Sequence, residues 1–387
     1  MKVGASSLNQ SSGATASLIR WTADHMRRVA DGAWQAAPIL DPGDFTRISD
    51  ELDFWDAWPV QEEGGLPAVL PDGSVLWMAL GAPHFADPDE RHGHARIHLL
   101  CCSGERWEHL GPAMPEGFSP GSREWSGSAV LASAGNKVVL YFTATGRAGE
   151  RELTFEQRLF SATATLVRRK GSYRLDVWRD LAEIVPRDPA HYMASDIGAG
   201  SPGTIKAFRD PAYFRDPADG RHYLFFAASA AGSTSAFNGV VGAASAVGER
   251  PESWKILPPV ISADGLNNEL ERPHVLTHGG LYYLFWSTQR QVFDPRGPAG
   301  PTGLYGMVSE RLADGWHPLN GTGLVFGNPP QAPQQAYSWL VMPDLRVASF
   351  VDNWGNAAPG GPDRRFGGTF APMLRLRLDG AEAGLAE

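Results

Sequence analysis

Five compact runs of apolar and aromatic residues recur along the 387-residue chain, opening at Val75, Val138, Tyr223, Tyr282 and Val347. They read Val-Leu-Trp-Met-Ala-Leu, Val-Val-Leu-Tyr-Phe, Tyr-Leu-Phe-Phe, Tyr-Tyr-Leu-Phe-Trp and Val-Ala-Ser-Phe-Val, and their starts lie 63, 85, 59 and 65 residues apart. β-Branched and aromatic residues in short runs are strand formers, and an interval of this size suits a unit of four strands with long loops. Five such units are what a five-bladed β-propeller requires. Aromatic strands recur in any large β protein, however, so spacing alone leaves the architecture open. The 44 Gly and 30 Pro favour many strands joined by tight turns over a helix-rich fold.

A polar motif precedes each run. Asp56 stands 19 residues before its run, Trp125, Asp210 and Glu269 each 13, and Tyr337 10. If each run is the second strand of its unit, each motif falls on the innermost strand. Five inner strands meet about one axis, and the motifs would then converge on one pocket. One short helix is expected over residues 17–33, where Leu18, Trp21, His25 and Val29 share a face. The expected organisation is a flexible arm over 1–17, one domain over 18–380 and a weak tail over 381–387.

Composition narrows the partners. A net charge of −9 without a Lys/Arg run argues against nucleic acid, and no apolar stretch approaches the ~18 residues of a membrane-spanning helix. Residues 1–17 lack a basic segment followed by an apolar core, so no conventional signal peptide is read and cytoplasmic residence is the default expectation. Cys101 and Cys102, adjacent in an apolar run, read as buried small hydrophobes. His84, His92, His94 and His98 lie near Asp87 and Asp89 without a diagnostic ligand spacing, which reads as a solvated loop. No metal or cofactor is expected.

The motifs supply carboxylates. Leu-Asp-Phe-Trp-Asp-Ala-Trp-Pro over 52–59 sets Asp56 between two indoles, where partial desolvation is costly unless donors compensate. A turn-forming Asp is the plainer alternative. Glu-Trp-Ser-Gly-Ser over 124–128 pairs the Trp125 indole with the Ser126 hydroxyl, which suits a sugar face and its hydroxyls, although a core Trp would read the same. Arg209 beside Asp210 is expected to hold that carboxylate ionised, with an Asp-Pro turn as the alternative. Glu269 and Glu271 are expected to alternate on a strand and share a face, so that one carboxyl keeps its proton near neutral pH, as a general acid must. A solvated strand face is the alternative. Together Asp56, Asp210 and Glu271 are the set that glycosyl chemistry uses.

At these residues the chain resembles the levansucrase/inulosucrase/β-fructofuranosidase family of bacteria, glycoside hydrolase family 68. The likeness runs from about Trp21 to Phe366-Gly-Gly-Thr. It implies a sucrose-acting retaining fructosyltransferase with Asp56 as nucleophile, Asp210 as transition-state stabiliser and Glu271 as acid/base. It further implies that Trp55, Trp125, Ser126 and Arg209 contact substrate, that Glu269 and Arg272 orient it, and that Tyr337 lies near the nucleophile and the glucosyl unit. Gln289 falls where relatives often carry Arg or His, which puts long levan in question. Asn268 replaces an Asp of the calcium-binding members, so no structural calcium is expected. The implied partners are sucrose and fructosyl acceptors, water or sugars. The rival readings are a mainly hydrolytic β-fructofuranosidase and a carbohydrate-binding propeller without catalysis. Some Gram-negative relatives are exported without a cleaved signal sequence, so export stays open beside cytoplasmic residence.

Overall fold

A computed structural model describes residues 18–132, 135–195, 205–355 and 364–386. The chain is almost all β. Each of the five apolar runs forms a strand paired antiparallel with the strand that carries the preceding motif: Leu52–Gln61 with Val75–Pro83, Arg123–Leu131 with Lys137–Thr145, Phe208–Arg215 with His222–Ser229, Glu271–His278 with Leu281–Thr288, and Ala336–Val341 with Arg346–Val351. Further antiparallel strands extend each pair outward. The first two units merge into one eight-stranded sheet through a two-residue parallel register, Val60 with Ala129 and Gln61 with Val130. The motif strands are neighbours in chain order, and the fifth returns to the first. Their motifs therefore face a common axis.

The long 85-residue interval has a local cause. Between its two runs lie the longest strands, Gln157–Arg169 and Ser172–Val185, and the connection beyond them. Neighbouring sheets bury the apolar faces between them, including Met78, Leu140, Phe285, Phe326 and Trp339. Burying a side chain of that size contributes about 1.5–3 kcal/mol.

The helix is shorter than its periodicity predicts, spanning Ala23–Asp31. Ile19–Arg20 instead pairs in parallel with the outer strand Trp254–Ser262, and Leu18 is exposed. Ladder bonds at a sheet edge outcompete helix for those residues. Trp21 then anchors the chain against Trp286, Phe293 and Tyr305, its indole donating to the Thr322 carbonyl at 2.9 Å.

The C-terminal segment is also better ordered than expected. Glu382–Leu385 pairs with Leu374–Asp379, and the side chain of Asn320 donates to the Ala383 carbonyl and accepts from its N–H. The arm over 1–17 lies outside the described residues. Cys101 and Cys102 are half-buried free thiols on the strand Arg96–Ser103 rather than buried hydrophobes, because that strand lies toward the outside of its sheet.

Candidate active site

Every motif strand breaks its ladder at the motif. The pairing jumps between Trp55 and Trp58, Trp125 and Gly127, Arg209 and Ala212, Glu271 and His274, and Tyr337 and Leu340. Each jump is a β-bulge, which re-aims the side chain it carries. At four of them a non-glycine residue takes left-handed backbone: Asp56 at φ 49°, Asp210 at 63°, Arg272 at 48° and Ser338 at 62°. Such a residue costs about 1–2 kcal/mol, and the cost recurs at the residues that face the axis. In the remaining strand Ser126 holds the equivalent place. Gly127 follows it because a Cβ there would lie 1.9 Å from the Tyr141 carbonyl oxygen.

The bulges open on a cavity of about 710 Å³, within the usual range for small-molecule sites. Its wall includes all eleven residues expected from the sequence: Trp55, Asp56, Trp125, Ser126, Arg209, Asp210, Glu269, Glu271, Arg272, Gln289 and Tyr337. Asp210 is fixed at both side chain and backbone. Its Oδ1 accepts from Ser126 Oγ at 2.6 Å, and its N–H donates to Thr143 Oγ1 at 2.9 Å. Glu271 is gripped at both oxygens, Oε1 by Arg209 at 2.7 Å and Oε2 by the Tyr337 hydroxyl. Burial first, with the charge of Glu271 next, keeps the Tyr337 phenol well above its ordinary range, so it donates at any working pH.

Asp56 is raised by burial, opposed chiefly by the Arg272 guanidinium and by a hydrogen bond from Ser338. Arg272 does not reach outward. Its Nη1 donates to Ser338 Oγ at 2.7 Å and its Nη2 to the Ala57 carbonyl at 2.7 Å, lashing the first, fourth and fifth motif strands together beneath the nucleophile candidate.

Two electrostatic expectations change. Arg209 was expected to keep Asp210 low, but burial outweighs it and Asp210 rises to about 6. Glu269 lies outside the strand, which begins at Glu271, because the Asn267 side chain accepts the Glu269 N–H at 2.8 Å and turns the backbone away. Both glutamates still meet Arg209 Nη2, Glu269 at 3.8 Å and Glu271 at 2.7 Å. Burial, then the charge of Glu271, pushes Glu269 up to about 7. A carboxyl that keeps its proton near neutrality is thus present in the pair.

The histidine loop is only partly solvated. His92 lines the cavity, and His98 is buried against His109, Nδ1 to Nε2 at 2.9 Å. Arg91 in the same loop is buried, its guanidinium 5.4 Å from the Trp55 ring centroid and 4.2 Å from that of Phe366. Arg364 bridges Asp89 at 2.7 Å and Asp352 at 3.1 Å along the same wall. Sequence reasoning missed Arg91, Asp352, Thr143 and Ser338. Ser338 alone left a signal, being the residue of the fifth motif that aligns with Asp56, Ser126, Asp210 and Arg272.

Arg209 Nη1 and Trp125 Nε1 are buried without a hydrogen-bond partner among the described residues. A guanidinium and an indole donor beside three acidic side chains fit a ligand rich in hydroxyls. Among the described residues no three His, Cys, Asp or Glu converge to hold a metal. The fold and the site define an enzyme of the glycoside hydrolase class. Residues 9–239 and 234–387 match the family model described as Levansucrase/Invertase, and the chain belongs to that family, glycoside hydrolase family 68. A levansucrase of Pseudomonas savastanoi pv. glycinea is 30% identical over 389 residues, covering 90% of this chain and 89% of the relative. A levansucrase of Rahnella aquatilis is 30% identical over 400 residues, 93% of this chain and 92% of the relative. The solved inulosucrase from Halalkalicoccus jeotgali, bound to kestose, is 34% identical with a TM-score of 0.86, each chain covered to 95%.

Proposed function

We propose that the protein is a retaining fructosyltransferase acting on sucrose, built as a five-bladed β-propeller whose first strands are the five motif strands. The observation that carries the reading is the bulge set, which turns Asp56 and Asp210 onto one cavity beside a Glu271 held by Arg209 and Tyr337. In the first step the Asp56 carboxylate attacks the anomeric carbon of the fructosyl unit. The bond to the glucosyl oxygen breaks, and Glu271 as general acid protonates that oxygen. Asp210 accepts hydrogen bonds from the sugar hydroxyls as charge develops. Arg209 and Trp125 direct their free donors at the substrate. In the second step Glu271 takes the proton of an acceptor hydroxyl, whose oxygen attacks the anomeric carbon and releases Asp56. Water as acceptor gives free fructose, and a sugar gives fructo-oligosaccharide or levan.

Retaining enzymes hold the two carboxyls about 5 to 5.5 Å apart, close enough for this covalent route. The acceptor side is built from Gln289 and Gln291, which hydrogen-bond to each other on the cavity wall after the strand Leu281–Thr288. Short, neutral side chains there favour short products over a long polymer. The second reading is a mainly hydrolytic β-fructofuranosidase, favoured if those glutamines fail to hold an acceptor against water.

The test is a time course of free glucose and free fructose from sucrose. Glucose in excess of fructose supports transfer, equal amounts support hydrolysis, and no glucose removes the sucrose reading. Asp56→Ala and Glu271→Ala are both expected to abolish glucose release while sucrose binding survives.

A further inference from the structure

Lys206 is buried a few residues before the Arg209-Asp210 motif. Its ammonium uses all three donors on three chain segments: the Ala236 carbonyl at 2.6 Å, Asn238 Oδ1 at 2.9 Å and Asn268 Oδ1 at 2.9 Å. All three acceptors are neutral oxygens, and its charge acts on Glu269. A buried ammonium without a hydrogen-bonded carboxylate is costly unless something is gained elsewhere.

The segments meet closely. Gly239 N–H donates to the Asn267 carbonyl at 2.8 Å, and a Cβ on Gly239 would lie 2.7 Å from the Asn268 carbonyl oxygen. Asn268 Nδ2 donates to the Ile205 carbonyl at 2.8 Å and reaches Glu269 Oε1 at 3.4 Å. The Lys206 carbonyl accepts from Gln157 Nε2 at 3.0 Å, which fixes the start of the Phe208–Arg215 strand. A shift at this junction would therefore move Arg209 relative to Glu269 and Glu271. Converging backbone and amide oxygens from separate segments are the donor type that holds hard cations.

We propose that Lys206 is a positioning residue, an internal cation in an oxygen cage that locks the Arg209-Asp210 strand to the 267–271 segment and sets where Arg209 meets the two glutamates. The kinetic part of this inference rests on the fructosyl-transfer reading of the site. Without the ammonium the cage oxygens repel one another, the two segments separate, and Glu269 loses a nearby positive charge that opposes its protonation.

Lys206→Met retains the stem and removes the charge. The expected result with sucrose is a kcat at least tenfold lower with KM changed less than threefold, and an alkaline limb of the pH profile moved to higher pH. Asn268→Asp, which keeps the cage and diverts the ammonium to a new carboxylate, is expected to move the limb the same way and serves if the methionine variant does not fold. In Lys206→Asp the carboxylate completes a cation site, so added Ca²⁺ is expected to raise Tm by several degrees and recover part of kcat, whereas the unmodified protein responds to neither Ca²⁺ nor EDTA. The thermal shift needs no turnover, so it judges the cage even if sucrose proves not to be the substrate. Folded variants with unmoved kcat and pH limb, or a Lys206→Asp protein indifferent to Ca²⁺, would overturn the proposal.

Discussion

The five motif strands line two cavities, and the contrast between them shows what a bulge does. The larger lies at the motifs. The other, about 370 Å³, is lined by residues further along the same strands, among them Trp58, Ser128, Tyr213, His274 and Leu340. Beyond the bulge the ladder resumes and Ser128 and His274 find partners, while the Trp58 indole N–H is buried without one among the described residues. Ser128 Oγ donates to the Pro211 carbonyl at 2.8 Å and accepts the Tyr213 N–H at 2.9 Å. His274 spends both ring nitrogens on backbone, Nδ1 on the Arg272 carbonyl at 2.8 Å and Nε2 on the Val341 N–H at 2.9 Å, and burial lowers it to about 4, so it stays neutral. At the motif end the same strands carry left-handed residues and raised carboxyls. Backbone strain and raised carboxyls are concentrated where chemistry is needed.

The strongest way to break this contrast is at the nucleophile. Asp56→Asn is expected to lower kcat for glucose release by ~10⁴-fold or more, as loss of an attacking group does. Arg272→Lys is expected to cost ~10²-fold in kcat with little change in the circular dichroism spectrum, because one ammonium cannot hold both Ser338 and Ala57 as the guanidinium fork does.

Stability gives a smaller, opposite effect. The Asp210 carboxyl lies near 6 in the fold against 3.8 as its reference value. The unfolded chain therefore releases this proton more readily, and the group's contribution is full below about pH 4 and lost as pH rises through about 6. Asp210→Asn is expected to flatten that loss and to unfold later than the unmodified protein at pH 7.5, by on the order of 3 kcal/mol, while losing activity. Urea titrations at pH 4.5 and 7.5 measure both.

The backbone strain itself is tested at Ser338. Ser338→Gly and Ser338→Ala both delete the hydroxyl, and glycine alone tolerates φ 62° without cost, so the glycine variant is expected to be more stable by about 1 kcal/mol in the same titration. At the quiet end, Thr277→Ala is expected to leave kcat/KM within about twofold, since Thr277 lines the smaller cavity.

Much of the site was legible because its chemistry is local. Trp55-Asp56, Trp125-Ser126, Arg209-Asp210, Glu271-Arg272 and Tyr337-Ser338 occupy equivalent places before their apolar runs, so strand order placed them together. What was not legible came from contacts between distant segments. Arg91 and Asp352 enter the wall from a loop and a strand end with no motif. Lys206 gains its partners only when residues 236–238 and 268 fold against it. The helix was overpredicted because periodicity cannot see an available sheet edge at Ile261 and Ser262.

By itself the sequence determined the strand type, the five-fold spacing and the identity of the reactive side chains, since β-propensity and side-chain chemistry are properties of neighbouring residues. Tertiary structure decided the protonation preferences and the geometry. Whether Asp210 rests low beside Arg209 or high in a buried cavity depends on how much water the other four strands exclude. Whether Arg272 faces substrate or binds strands together depends on where the Ala57 carbonyl and Ser338 come to lie. Desolvation and long-range hydrogen bonds are sums over the whole fold, which no local stretch of chain contains.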